Sequence, residues 1–101
     1  MILPIIILHE AELELQEIVE YYESKSPGLG MDFADEMKKT IQLIQQSPER
    51  QPLQNDQTRR ILTNRFPYQI IYTMFENEIW IIAFANQRRK PGYWKKDLNK
   101  F

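Results

Sequence analysis

The 101-residue chain contains no cysteine and one histidine, His9. Without thiols there is no disulfide and no thiolate metal site, and the composition fits a reducing compartment. A single histidine cannot build a histidine-rich zinc site, and it leaves a Ser-His-Asp triad no choice of base. Glycine is scarce too, at three residues. Gly28-Leu29-Gly30 follows no strand and lacks a third glycine, which argues against a dinucleotide-binding loop. Long apolar runs are missing. The apolar run at the start, Met1-Ile2-Leu3-Pro4-Ile5-Ile6-Ile7-Leu8, is far too short to span a bilayer, has no basic segment or small-residue cleavage site, and is followed at once by acids. It reads as a buried strand of a cytoplasmic protein with no membrane partner.

What is present is ordinary for a globular protein: 43% hydrophobic and 27% charged residues. The length allows one domain, residues 1–101, and a second would be too small to hold a core. The net charge of −1 hides a split. Residues 1–50 carry ten acids against four bases, a net −6, whereas residues 51–101 carry nine bases against four acids, a net +5. That division predicts a polarised surface whose basic half faces nucleic acid or an acidic protein.

Pro4 cannot donate to a ladder, so the first strand belongs at a sheet edge or begins there. From Glu10 the period changes. Ala11, Leu15, Ile18, Val19 and Tyr22 form a helical apolar stripe, with glutamates on the other faces and acids in the first turn, where they suit the helix dipole. Ser26-Pro27-Gly28-Leu29-Gly30 predicts a tight turn. A second helix follows over about residues 31–46, with Phe33, Met37, Ile41 and Ile44 on one face and Ser47-Pro48 as its stop. A polar loop over 49–57 leads to strand signals at 60–62, 68–74 and 78–85, the last two joined through Phe75-Glu76-Asn77-Glu78. The order β-α-α-β-β-β predicts an α+β fold: an antiparallel meander with the first strand added and a helical hairpin packed on one face.

The acid-rich helix places its carboxylates on solvent faces, so no metal site and no cofactor is expected. His9, at the strand–helix junction, reads as a capping or packing residue. The strongest functional signal is Asn86-Gln87-Arg88-Arg89-Lys90-Pro91-Gly92-Tyr93-Trp94-Lys95-Lys96. Arginine grips phosphate or carboxylate with a fork, and Tyr and Trp either stack on bases or anchor in a partner's pocket. Arg59, Arg60 and Arg65 extend the patch. The competing structural use of Tyr93 and Trp94 is to fold back and close the core.

In order along the chain, the stretches from Ala11 to Tyr22, Ser26-Pro27-Gly28-Leu29-Gly30 with Phe33, Arg59-Arg60, Phe66-Pro67-Tyr68-Gln69-Ile70-Ile71-Tyr72 and Ala83 to Trp94 resemble the RelE/ParE superfamily of type II toxin–antitoxin toxins, in its ParE-like, plasmid-stabilisation branch. The resemblance implies a β-α-α-β-β-β fold and a toxin neutralised by a cognate antitoxin. RelE-like members cleave mRNA on the ribosome, whereas ParE-like members poison DNA gyrase and are not nucleases. Many of the nucleases carry an arginine three residues before the tyrosine that matches Tyr72, where this chain has Gln69; ParE-like members often carry histidine where it has Asn86. Asparagine cannot shuttle protons near neutral pH.

Two functions follow as expectations: a non-enzymatic gyrase inhibitor or, as the alternative, a metal-independent, ribosome-dependent endoribonuclease using Tyr93 and Arg65, with Arg88 and Arg89 as charge stabilisers. An inactive, antitoxin-binding copy is a third. The expected target-binding residues are Arg59, Arg60, Arg65, Arg88, Arg89, Tyr93, Trp94 and Lys95. The antitoxin is expected on the first strand and helical hairpin, at Ile5, Ile7, Leu15, Ile18 and Tyr22, by strand addition at the edge and by attraction to the acidic helix. A homodimer is left open.

Overall fold

The computed structural model describes residues 2–90 and 92–95. Its elements are β1 (Ile5–Ile7), α1 (His9–Lys25), α2 (Leu29–Gln46), β2 (Arg59–Leu62), β3 (Tyr68–Phe75) and β4 (Glu78–Asn86), the order and α+β class expected from the periodicity. The strands form one mixed sheet, β1-β4-β3-β2. β2, β3 and β4 are an antiparallel meander, and β1 joins the outer side of β4 in parallel, with Ile5 opposite Ile79 and Ile7 opposite Ile81. Pro4 immediately precedes β1, at the start of this edge strand, and its carbonyl accepts the Ile79 N–H at 2.9 Å.

The register sorts the sheet into two faces. Tyr68, Ile70 and Tyr72 share rows with Asn86, Phe84 and Ile81 and face the helices. The rings of Tyr68 and Phe66 meet Tyr22 of α1 and Phe33 of α2 there, with centroids 5.0 to 6.3 Å apart. Ile71 and Ala83, on the opposite face, are also buried. A bulge in β4 leaves Ile82 without a partner between the Ile71–Ala83 and Tyr72–Ile81 pairs. From Ile81 to Ala85, β4 is therefore buried on both sides, which explains why it reads as an unbroken apolar run rather than an alternation.

The helical hairpin is tighter than the sequence predicts. Only Ser26, Pro27 and Gly28 lie between the helices, and Leu29 and Gly30 already belong to α2. Gly28 makes the turn at φ 87°, where an L side chain is strained. Gly30 is no breaker. A Cβ there would stand 2.6 Å from the Val19 carbonyl oxygen of α1, so this glycine sets how closely the helices approach. Glu23 reaches across to accept the N–H groups of Gly28 and Gly30 at 2.9 and 3.0 Å, satisfying first-turn donors of α2. Glu23 and, below, Glu14 thus correct the expectation that the glutamates of α1 merely solvate it. The β3–β4 turn uses Glu76 and Asn77 at φ 49° and 63°, the paired positive angles of a two-residue hairpin that matches strand twist.

Candidate functional site

The C-terminal basic stretch leaves β4 in a turn organised by Asn86. Its Oδ1 accepts the Arg88 N–H at 2.9 Å, and its carbonyl accepts the Arg89 N–H at 3.0 Å. Arg88, Arg89 and Lys90 are exposed on this turn. The Arg89 guanidinium lies over the Tyr93 ring, 3.6 Å from its centroid. Arg89 lines an open cavity of about 210 Å³ together with Glu14, Glu17, Ile18, Tyr68, Phe84 and Asn86. Pro91 and Lys96 of the stretch lie outside the described residues.

Trp94 takes the architectural role rather than that of a target anchor. It is 1% exposed and belongs to the core. Its Nε1 donates to Asp56 Oδ2 at 3.3 Å, and the Arg60 guanidinium covers its ring at 4.9 Å. Arg60 pairs with Ile71 across β2 and β3, so Trp94 closes the sheet face opposite the helices. A buried indole with a satisfied N–H has nothing left to offer a partner.

Asp56 anchors this cluster. Burial pushes its carboxyl pKa up, but hydrogen bonds from the Thr58 hydroxyl, the Thr58 N–H and Trp94, with the charge of Arg60, outweigh burial and hold it below the ordinary carboxylate range. A folded-state pKa below the unfolded one stabilises above about pH 4, and that contribution is lost as pH falls through the folded value. Urea unfolding between pH 6 and pH 3 is therefore expected to show a steeper acid loss for the native chain than for Asp56→Asn.

The other arginines of the expected patch are drawn elsewhere. Arg59 donates to the carbonyls of Glu49 and Gln51 at 3.1 and 2.7 Å and pins the loop after α2. Arg60, besides covering Trp94, stands 3.8 Å from Asp56, and its Nε is buried without a hydrogen-bond partner among the described residues. Arg65 pairs with Asp32 of α2 at 3.0 Å. The basic half of the sequence is thus divided: Arg59 and Arg60 tie the fold, Arg65 turns to the helices, and the turn 88–90 with exposed Lys95 remains open. The chemistry assigned to Tyr93 is also constrained, because its hydroxyl donates to Glu14 Oε2 at 2.5 Å. Glu14 was not distinguishable by sequence from the other glutamates of α1.

The residues expected to meet an antitoxin separate as well. Ile7 and Leu15 line an open apolar groove of about 340 Å³ with Ala34, Met37 and Ile41. Ile5 packs against the core beside it. Ile18 instead lines the cavity beside Arg89. Tyr22 is corrected to a packing role: its ring is enclosed by Phe33, Phe66 and Tyr68, and burial, with Tyr68 and Tyr21 adding, raises its hydroxyl pKa. Among the described residues no His, Asp and Glu side chains converge as a metal site would, and no helix is long and apolar enough to cross a membrane.

A family model for the ParE toxin of the type II toxin–antitoxin system parDE matches residues 5–91. The chain belongs to the ParE toxin family. It is therefore a ParE-like toxin of a type II toxin–antitoxin system, a class whose members pair with a cognate antitoxin. A solved chain of the chromosomal ParDE system from P. aeruginosa has the same fold, at a TM-score of 0.75 and 16% identity, over 84% of this chain and 96% of that one. A search of curated proteins returns no match. The matched span takes in the whole sheet, both helices and the turn at 88–90, so this ParE-like chain carries its exposed cations on a family-typical frame.

Proposed function

We propose that this ParE-family toxin acts in the cytoplasm by binding DNA gyrase through the cationic turn after β4, without enzymatic chemistry, and that a cognate antitoxin silences it. The observation that carries this reading is the use to which the candidate nuclease parts are put. The Tyr93 hydroxyl is held by Glu14, Arg65 is paired with Asp32, and the Asn86 side chain caps a turn. These groups build structure, and a general acid or base needs a group free to exchange its proton with substrate. Arg88, Arg89, Lys90 and Lys95 stay exposed, which suits recognition of an acidic protein surface.

The edge position of β1 supports antitoxin binding there. The Ile5 and Ile7 backbone groups that point away from β4 can take an added strand, while the groove at Ile7 and Leu15 takes apolar side chains. The same edge would serve a homodimer of the toxin alone, which sedimentation reads directly.

The purified toxin is expected to inhibit gyrase supercoiling and to leave ribosome-bound mRNA uncut. Arg88→Ala and Arg89→Ala are each expected to weaken inhibition about tenfold, the loss of an interface contact worth about 1.4 kcal/mol. Cut transcripts with unaffected gyrase would reverse the assignment in favour of a nuclease.

A further inference from the structure

β1 ends at Ile7 and the chain turns into α1 at His9. Leu8 N–H still donates to the Ile81 carbonyl, but no residue of β1 stands opposite Phe84 further along β4. Glu14, on α1, fills that place. Its Oε1 accepts the Phe84 N–H at 3.2 Å, and its Oε2 accepts the Tyr93 hydroxyl at 2.5 Å. One carboxylate therefore ties α1, the open edge of β4 and the turn at residues 93–95, and hydrogen bonds to a charged acceptor are the strong kind. The consequence extends past Tyr93. Arg89 lies on the face of the Tyr93 ring at 3.6 Å, and the ring meets Trp94 at 5.2 Å in a T-shaped contact. Holding the hydroxyl fixes the plane of the ring, and the plane fixes where the Arg89 guanidinium stands. Glu14 and Arg89 border the same open cavity.

We propose that Glu14 is a positioning residue for the target-contact turn: through the Tyr93 hydroxyl it holds the ring on which Arg89 is stacked, and so presents Arg89 to the target. The proposal rests on the reading that this turn meets the target. A glutamate that only stabilised the fold would weaken the toxin independently of Arg89, whereas one acting through Arg89 loses its effect when Arg89 is gone.

The test uses Glu14→Gln and, because it removes one hydroxyl and keeps the ring, Tyr93→Phe. The Arg89 side-chain NMR signals, shifted upfield by the ring beneath them in the native toxin, are expected to move toward ordinary values in both variants. Inhibition of gyrase at equal folded concentration is expected to fall about tenfold in each, as for loss of a hydrogen bond to a charged group. In an Arg89→Ala background either substitution should add less than about twofold, because the pathway runs through Arg89. Unchanged Arg89 signals in both variants overturn the proposal, and so do losses that multiply with Arg89→Ala. If the native toxin does not inhibit gyrase, the target assignment fails, while the Arg89 signals still decide whether Glu14 positions that side chain. Should Glu14→Gln not fold, Tyr93→Phe gives the same decision.

Discussion

Trp94→Ala is expected to lower folding stability by about 3–5 kcal/mol, the usual loss for truncating a buried aromatic to alanine. Several effects act together at this residue. Its side chain is almost wholly buried, so removal leaves a cavity beside Arg60 on the sheet face opposite the helices. The Asp56 carboxylate loses one of the donors that offset its burial. Arg60, stacked on the indole and already carrying a buried Nε without a hydrogen-bond partner among the described residues, loses the surface that orders it. A native domain has only about 5–15 kcal/mol in hand. Urea unfolding should therefore show a midpoint far below that of the native chain. Trp94→Phe, which keeps most of the volume and loses only the indole N–H, is expected to fall between. An unfolding free energy for Trp94→Ala within about 1 kcal/mol of native would mean that Trp94 is not part of the core.

Gly30→Val is expected to cost about 3 kcal/mol, combining overpacking with loss of a helix cap. The added Cβ would meet the Val19 carbonyl oxygen at 2.6 Å and the Glu23 side chain at 3.0 Å. A backbone carbonyl inside α1 cannot swing aside, so the helices must separate, and the Glu23 carboxylate is pushed from the N–H groups it satisfies. Gly30→Ala meets the same clash, but its helix propensity returns about 1 kcal/mol, so the net loss is smaller. Thermal unfolding of the two variants should rank them native, then alanine, then valine. If alanine at this position raised the melting temperature, the close approach would not govern the hairpin.

How much of this was legible beforehand can be judged residue by residue. The Ala11, Leu15, Ile18 and Phe33, Met37, Ile41, Ile44 stripes announce two helices because apolar residues at that spacing line one face of a helix. Pro4 marks an edge strand or the start of one because its nitrogen has no hydrogen to give, and it stands just before the edge strand β1. The turn at Glu76 and Asn77 is legible from its flanking strands. The role of Gly30 is not legible, because glycine before a helix and glycine inside a helix–helix contact look alike in one dimension. The basic patch divided for a related reason. Arg59 and Arg60 are neighbours in sequence, yet alternation along β2 sends them to opposite faces, one to the loop after α2 and one to Trp94.

By itself, then, the sequence determined the element order, the α+β class, the edge placement of β1 and the ordered motifs that resemble ParE-like toxins, because these depend on local periodicity and on the chemistry of single residues. Only the tertiary structure decided which charges are free and which glutamate matters. Glu10, Glu12, Glu14 and Glu17 are equivalent along the chain; Glu14 alone stands where β1 has ended and Tyr93 arrives from 79 residues away to meet it. The tertiary fold likewise decided that Trp94 closes the core while Arg88 and Arg89 remain outside. An indole packs or contacts a partner equally well, and only the covered face of the sheet shows which use this chain makes of it.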